Sequence, residues 1–343
     1  MNTWVQKTGF FLGLALLSAC TKDLPFVDDE DGGVDVNRHD GSLLPDAADI
    51  TDLPYRKDSA PPLDAAETCP QFAMGTIVGR TPLVILTEAS GIVASRRNPG
   101  TLWTHNDSGA GPRILALSNT GTTQAQYDLG GASARDWEDI AMGPGPIRGQ
   151  SYVYVGDIGD NAESRSNVDI YRVAEPDVTM GSPTPTTLSG VDRFTLSYPD
   201  RAHNAETLLV DPENGDVFII TKSSNGVSLV FRAAAPLVTG KVTTMTQVAV
   251  LKFGTAPLPG NRLATGGDIS PMGDEIAIRS YDSAFLWRRP KGMSIADALS
   301  QTPCSIPLAS EPQGEALGFA QDGSGYYSVS EGSFSPIYYY ARR

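Results

Sequence analysis

From residue 76 onward, short apolar runs alternate with clusters of Gly, Pro, Asn, Asp and Ser, the pattern of β-strands joined by tight turns. The runs recur in a fixed order. In the first copy, Glu88-Ala89-Ser90-Gly91-Ile92-Val93 is followed by Leu102-Trp103-Thr104, Arg113 to Leu117 and Gln124 to Leu129. Further copies open at Glu138, Glu206, Asp268 and Glu315, at spacings of 50, 68, 62 and 47 residues. The last copy lacks a fourth strand, while Thr76-Ile77-Val78 and Leu83-Val84-Ile85-Leu86 precede the first copy and belong to no other. The expected fold is an all-β propeller of four-stranded blades, five in number, with the N-terminal strand closing the ring. Six blades is the alternative if the long second or third copy contains two. Ring closure removes the open sheet edge that would otherwise template aggregation. One short helical piece is expected, Ser294 to Leu299.

The first 68 residues follow a different pattern. Lys7, the apolar stretch Phe10 to Leu17 and then Leu17-Ser18-Ala19-Cys20 have the order of a signal peptide, with an apolar region too short to span a bilayer. The cysteine after Leu-Ser-Ala resembles the bacterial lipobox. That resemblance implies a lipoprotein signal over residues 1–20, lipidation of Cys20 (diacylglycerol, palmitate) and a membrane-anchored chain outside the cytoplasm. Thr21, standing where an aspartate would favour inner-membrane retention, points to the outer membrane, with the folded part on its periplasmic or surface face. Residues 21–68 carry 13 acidic and 4 basic side chains, a net of −9, with repeated Pro and Asp and few aromatics. Such a segment cannot bury enough apolar surface to order itself, so a disordered tether is expected. The propeller domain then occupies residues 69–343.

The whole chain carries a formal charge of −14 and a sequence pI near 4.6, which argues against nucleic acid as a partner. With Lys7 and the tether set aside, −6 remains on residues 69–343. Of three cysteines, Cys20 takes lipid, which leaves Cys69 and Cys304 to form a disulfide at the ring closure in an oxidising compartment. No Cys or His spacing implies zinc. A monomer is expected.

In a propeller, the start of each blade's first strand and the end of its second lie on one face around a central channel. The repeat places Glu88, Glu138 with Asp139, Glu206, Asp268 and Glu315 at the first position. Asn106 with Asp107, Asp157, Lys222, Arg279 and Glu331 occupy the second. Carboxylates crowded in this way must be paired with Lys222 and Arg279, protonated, or bound to a cation. Hard oxygen donors suit Ca²⁺, so Glu88, Asn106, Glu138, Asp157, Glu206, Asp268 and Glu315 are candidate ligands. The structural alternative is that the acids accept backbone N–H groups and fasten the blades. The loop Gly156-Asp157-Ile158-Gly159-Asp160-Asn161 admits both readings, as a cation loop or as a self-bonded turn. His105 and His203 are candidate general bases. Ser90 lacks the Gly-x-Ser-x-Gly elbow of a nucleophile.

The stretches around Glu88, Trp137-Glu138-Asp139-Ile140-Ala141, Gly156 to Asn161 and Pro312-Gln313-Gly314-Glu315-Ala316 resemble secreted bacterial β-propeller lipoproteins, some grouped with phytase-like esterase domains. More distantly, the acid opening the first blade and the Asn and Asp residues round the axis resemble the calcium-dependent lactonase propellers, such as paraoxonase and gluconolactonase. That likeness implies Glu88, Asn106, Asp157 and Asp268 as ligands, with His105 or His203 as the base; the sequence departs from it in showing five copies, not six. The favoured function is an anchored binding module for a small molecule, glycan or protein. The alternatives are a calcium-dependent hydrolase of an ester, lactone or phosphoester, and a five-bladed glycosidase using two carboxylates about 5 to 9.5 Å apart.

Overall fold

The computed structural model describes residues 69–178, 184–223, 225–253 and 262–343. Residues 1–68, with the expected signal peptide, Cys20 and the expected tether, lie outside the described residues. Strand β1 (Thr76–Arg80) stands apart in sequence from four successive four-strand units and a fifth of three strands. Blade 1 is β2 (Ala89–Ala94), β3 (Thr101–Asn106), β4 (Arg113–Ser118) and β5 (Thr123–Leu129). Blade 2 is β6 (Trp137–Pro144), β7 (Ser151–Asp157), β8 (Val168–Ala174) and β10 (Asp192–Ser197), with β9 (Thr186–Leu188) in the connection before β10. Blade 3 is β11 (Ala205–Val210), β12 (Val217–Thr221), β13 (Val227–Ala233) and β15 (Thr246–Lys252), with β14 (Val242–Thr244) in the connection before β15. Blade 4 is β16 (Ala264–Ile269), β17 (Glu275–Ser280), β18 (Ala284–Arg288) and β19 (Cys304–Ile306), with helix α1 (Ile295–Leu299) capped by Ser294 before its last strand. Blade 5 is β20 (Gly314–Phe319), β21 (Gly325–Ser330) and β22 (Pro336–Ala341), and β1 completes it by pairing antiparallel with β22.

The propeller therefore has five blades, and the N-terminal strand closes it. Leu83 to Leu86 is not a strand; Leu83 to Ile85 form a turn that carries the chain from the outer strand of blade 5 to the inner strand of blade 1. Two further strands are lent between blades. Strand β9 adds parallel to β5 of blade 1, and β14 adds parallel to β10 of blade 2. Cys69, ahead of β1, is disulfide-bonded to Cys304 on β19, joining the N-terminal end to blade 4.

The hydrophobic core is divided among the five spaces between blades. Trp103 and Trp137 fill the space between blades 1 and 2, Tyr154 and Phe231 that between 2 and 3, and Phe218 and Trp287 that between 3 and 4. Tyr326 and Phe319 pack against Leu286 between blades 4 and 5, and Ile337 and Leu115 meet between 5 and 1. Each fully buried large side chain contributes about 1.5–3 kcal/mol of transfer free energy. The inner strands β2, β11, β16 and β20 are buried at every position and rich in small residues, because five of them converge on one axis. A Cβ on Gly266 would collide with the Glu315 carbonyl, and one on Gly318 with the Ile92 carbonyl, so these glycines set how closely neighbouring inner strands approach.

On the face where the inner strands end, acids are paired across blades. Arg289 grips Asp211 with two bonds of 2.9 and 3.0 Å. Arg342 grips Glu275, and Glu175 accepts from Ser95, Ser151 and the Trp103 indole. The opposite face, where the inner strands begin, is arranged differently.

Candidate channel-mouth site

Each inner strand slips register against its neighbour near its second residue. The slip spans Ser90 and Gly91 in β2, Glu138 in β6, Glu206 in β11, Thr265 in β16 and Glu315 in β20. A bulged residue leaves the ladder and has its side chain re-aimed, a device often found beside functional sites. Three of the five positions carry glutamate. In the other two, the hydroxyl ties one blade to the next: Ser90 Oγ donates to the Glu138 carbonyl at 2.5 Å, and Thr265 Oγ1 to the Gly314 carbonyl at 2.9 Å. The acid repeat read from sequence is thus corrected in blades 1 and 4, where the equivalent positions are Ser90 and Thr265 and not Glu88 and Asp268.

The expected ligands divide accordingly. Glu138, Glu206 and Glu315 interact electrostatically in series at the mouth, Glu138 with Glu206 and Glu206 with Glu315. Glu88 is an exposed rim residue whose charge acts on Asp107 and Glu331. Asn106 is spent on the incoming loop: its Oδ1 accepts the N–H groups of Thr87 (2.9 Å) and Glu88 (3.0 Å), and its amide donates to the Ile85 carbonyl. Asp157 accepts the N–H groups of Arg135 and Asp136 and pairs with buried Arg165 at 2.8 Å. Asp268 lies deeper, with Oδ1 accepting the Ile269 N–H and Oδ2 the Phe319 N–H of blade 5. Asp139 does the same two blade boundaries earlier, accepting from Ile140 and from Leu208 of blade 3. Asn106, Asp157, Asp139 and Asp268 therefore fasten the fold.

The loop Gly156 to Asn161 is held by its own neighbourhood. Arg165 donates to the Gly159 carbonyl and to Asp160 through its backbone, and Asn204 bonds the Asp160 N–H and Asn161. The histidines are packed within the protein. His105 is fully buried, edge-on to Trp137, with Nδ1 on the Asn106 carbonyl at 2.8 Å; burial lowers its pKa to about 4. His203 packs on Tyr198 and Phe231 and meets Asp200 at 3.0 Å. Arg279 bonds no mouth acid directly; it is buried against Glu311 at 2.6 Å and the Ala316 carbonyl, and its charge acts on Glu315 from there, beside that of Lys222.

Two residues outside the expected ligand set complete the mouth. Asp107, just past β3, and Asp136, just before β6, bring carboxylate oxygens within 4.8 Å of one another and of Glu138. A Cβ on Gly159 would strike the carboxylates of both Glu138 and Asp136, so the glycine leaves them their space. Beyond them, Lys222 contacts Glu206 and donates to the Tyr281 hydroxyl at 2.8 Å, and the Gln313 amide bridges Glu315 (3.2 Å) and Glu331. Lys222 is, among the described residues, the one basic group in contact with any of these mouth acids. Glu138 is 4 % exposed, and among the described residues the one hydrogen-bond contact of its carboxylate is a long 3.5 Å approach of the Ser90 hydroxyl. Glu315 is 6 % exposed, and its Oε2 has no partner.

Burial and mutual repulsion act on these groups together. Burial, then the charges of Glu206, Asp107 and Asp136, raises Glu138 well above its ordinary range. Burial raises Asp107 to about 6 and Glu315 to about 7, the latter against the pull of Lys222. Glu206 is raised by burial, with the Lys222 ammonium opposing. A crowded, undercompensated set of oxygen donors attracts cations and gives up protons when one binds.

No known family model matches the sequence, and no curated protein aligns with it significantly. The site must be read from its own chemistry.

Proposed function

We propose that this chain is an extracytoplasmic lipoprotein, anchored through Cys20, whose propeller is a binding module with a divalent cation at the channel mouth. The observation carrying the reading is the meeting of Asp107, Asp136 and Glu138 within 4.8 Å with space kept by Gly159, where Arg165, Arg135 and Lys222 act by charge but form no ion pair with the three among the described residues. An all-oxygen, all-carboxylate donor set favours Ca²⁺ over zinc or copper. Three carboxylates leave part of a six- to eight-oxygen shell for water or ligand oxygens, so the cation would orient a ligand bound over the channel. The sequence from Lys7 to Cys20 and the acidic tether support the anchoring and the distance from the membrane.

Calorimetric titration of the full-length protein with CaCl₂ tests the reading. Binding is expected, weakened about tenfold or more in Glu138→Gln and in Asp136→Asn, each removing one charged ligand. Absence of both heat and thermal shift at millimolar calcium would overturn it. Radiolabelled palmitate incorporation, lost in Cys20→Ala, tests the anchor.

A hydrolase is the second reading, favoured by Glu315 near neutrality beside the Lys222–Tyr281 hydrogen bond, an arrangement able to exchange protons at working pH. Neither Ser90 nor the two histidines support it, since Ser90 is bonded to the Glu138 carbonyl and the imidazoles are packed. Esterase and lactonase screening with chelator controls separates the two.

A further inference from the structure

We infer that the mouth accepts the ammonium of a lysine-bearing peptide whose apolar neighbours lie in a groove between blades 5 and 1. The inference rests on reading the mouth as a ligand site, and it names the ligand's chemistry. Its first support is Glu315. Lys222 is already committed to Glu206 and Tyr281, and Gln313 supplies the Glu315–Glu331 pair with neutral N–H donors only. Glu315 Oε2, deep in the mouth, has no hydrogen-bond donor among the described residues. Leaving a buried carboxylate oxygen unpaired is costly, and an arriving ammonium would recover that cost.

The second support is independent of charge. A groove of about 620 Å³ is lined by Ile77, Arg80, Leu83, Thr120 and Phe334. Ile77, Leu83, Phe334 and neighbouring Val84 are each more than half exposed, a concentration of large apolar side chains on one rim. Phe334 sits at φ 57°, a backbone region bulky residues rarely adopt, and Arg80 fixes it by donating to its carbonyl at 3.1 Å and lying 5.2 Å from its ring centre. One loop joins the two: Phe334 of the groove lies three residues after Glu331, which shares the Gln313 amide with Glu315. The Gly332 N–H bonds the Thr87 carbonyl at 3.0 Å, holding that loop against the segment that runs from groove residues Thr81 to Leu83 on to Glu88.

An acidic mouth joined to an apolar groove by the loop that bears Glu331 and Phe334 fits a chain that alternates cationic and apolar groups. The protein's own tether is a poor occupant, since its net charge of −9 is repelled by the mouth. A small polyamine would leave the groove unfilled.

The test is fluorescence anisotropy of the full-length protein with labelled acetyl-Ala-Leu-Lys-Leu-Ala-amide, a norleucine-for-lysine control and a serine-for-leucine control. The lysine–leucine peptide is expected to bind tightest. Glu315→Gln, with Glu331→Gln as the milder second variant, should weaken it about tenfold while leaving the norleucine peptide unaffected. Phe334→Ala, a change at an exposed side chain, should weaken the leucine peptide about three- to tenfold and the serine peptide hardly at all. Equal binding of the lysine and norleucine peptides, equal losses for both peptides in either variant, or no anisotropy change up to millimolar protein would overturn the inference. Calcium titration of the same samples keeps the two ideas apart, because calcium binding without peptide binding defeats this inference and leaves the cation site standing.

Discussion

Glu138 and Asp139 are adjacent acids on the same inner strand, and the fold uses them in opposite ways. Asp139 places its two oxygens on the N–H groups of Ile140 and Leu208, joining blade 2 to blade 3. The Glu138 carboxylate receives one long contact, from the Ser90 hydroxyl, among the described residues and shares its surroundings with Asp107, Asp136 and Glu206. The bulge between Trp137 and Asp139 is what separates them, since it takes Glu138 out of the ladder and leaves its neighbour in register. Burial raises the pKa of both, so a perturbed carboxyl alone does not distinguish structural from ligand-binding acids. Satisfaction does: the oxygens of the structural acid are filled by backbone donors, and those of the other remain available.

The largest expected effect breaks the structural half of this pair. Asp139→Ala strands two buried N–H groups at a blade boundary, a cost of about 3 kcal/mol. For a domain of this size that corresponds to a fall of roughly 5 °C in melting temperature, read by circular dichroism. A loss below about 1 kcal/mol would mean that the blade boundary does not depend on the carboxylate.

Asp268 repeats the Asp139 arrangement two positions deeper in its strand and offers a smaller, pH-dependent test. Burial outweighs Arg96 and the two N–H donors and raises its pKa to about 6. The folded state then holds its proton more tightly than the unfolded chain. Between about pH 4 and 6 the native state binds more protons, so the contribution of Asp268 to stability falls as pH rises through that window. The expected change is about 2 kcal/mol across the window, followed by denaturant midpoints, and Asp268→Asn should flatten it. A wild-type profile that rises monotonically over this range and is unchanged by the substitution would show that the carboxyl is not held protonated.

Much of the propeller was legible in the chain. Apolar runs such as Val217 to Thr221 and Tyr152 to Val155 mark strands buried on both faces, and the unassigned Thr76 to Val78 pairs with β22 to close the ring. The two lent strands were not legible, because Thr186–Leu188 and Val242–Thr244 are three-residue segments whose pairing depends on the neighbouring blade's edge. At the mouth, three of the seven expected oxygen ligands stand there as buried channel acids. Asn106, Asp157 and Asp268 went to backbone and arginine partners that no spacing rule specifies. A one-residue bulge decides which side of a strand an acid faces, and it leaves no trace in the hydrophobic pattern, since Ser90, Thr265 and the glutamates all fit the same position. Asp107 and Asp136 sit in the Trp103-Thr104-His105-Asn106-Asp107 and Arg135-Asp136-Trp137-Glu138-Asp139 stretches; what joins them is the packing of blade 1 against blade 2.

The smallest effect sharpens the other half of the comparison. Glu138→Gln keeps the shape of the side chain and removes the charge that Asp107, Asp136 and Glu206 oppose. Without divalent cation, the variant should be as stable as the wild type or more stable, by about 0.5–1 kcal/mol, because the wild type carries the repulsion uncompensated. With calcium added at a hundred times its dissociation constant, the wild type gains about 2.7 kcal/mol by mass action, while the variant, binding more weakly, gains less. The two melting curves should therefore exchange order between chelator and calcium. Asp139→Ala should stay below the wild type in both conditions, since its loss does not depend on the cation. If Glu138→Gln instead destabilises the protein to the same extent with and without calcium, Glu138 belongs with Asp139 as a fastening residue, and the division between the two neighbours fails.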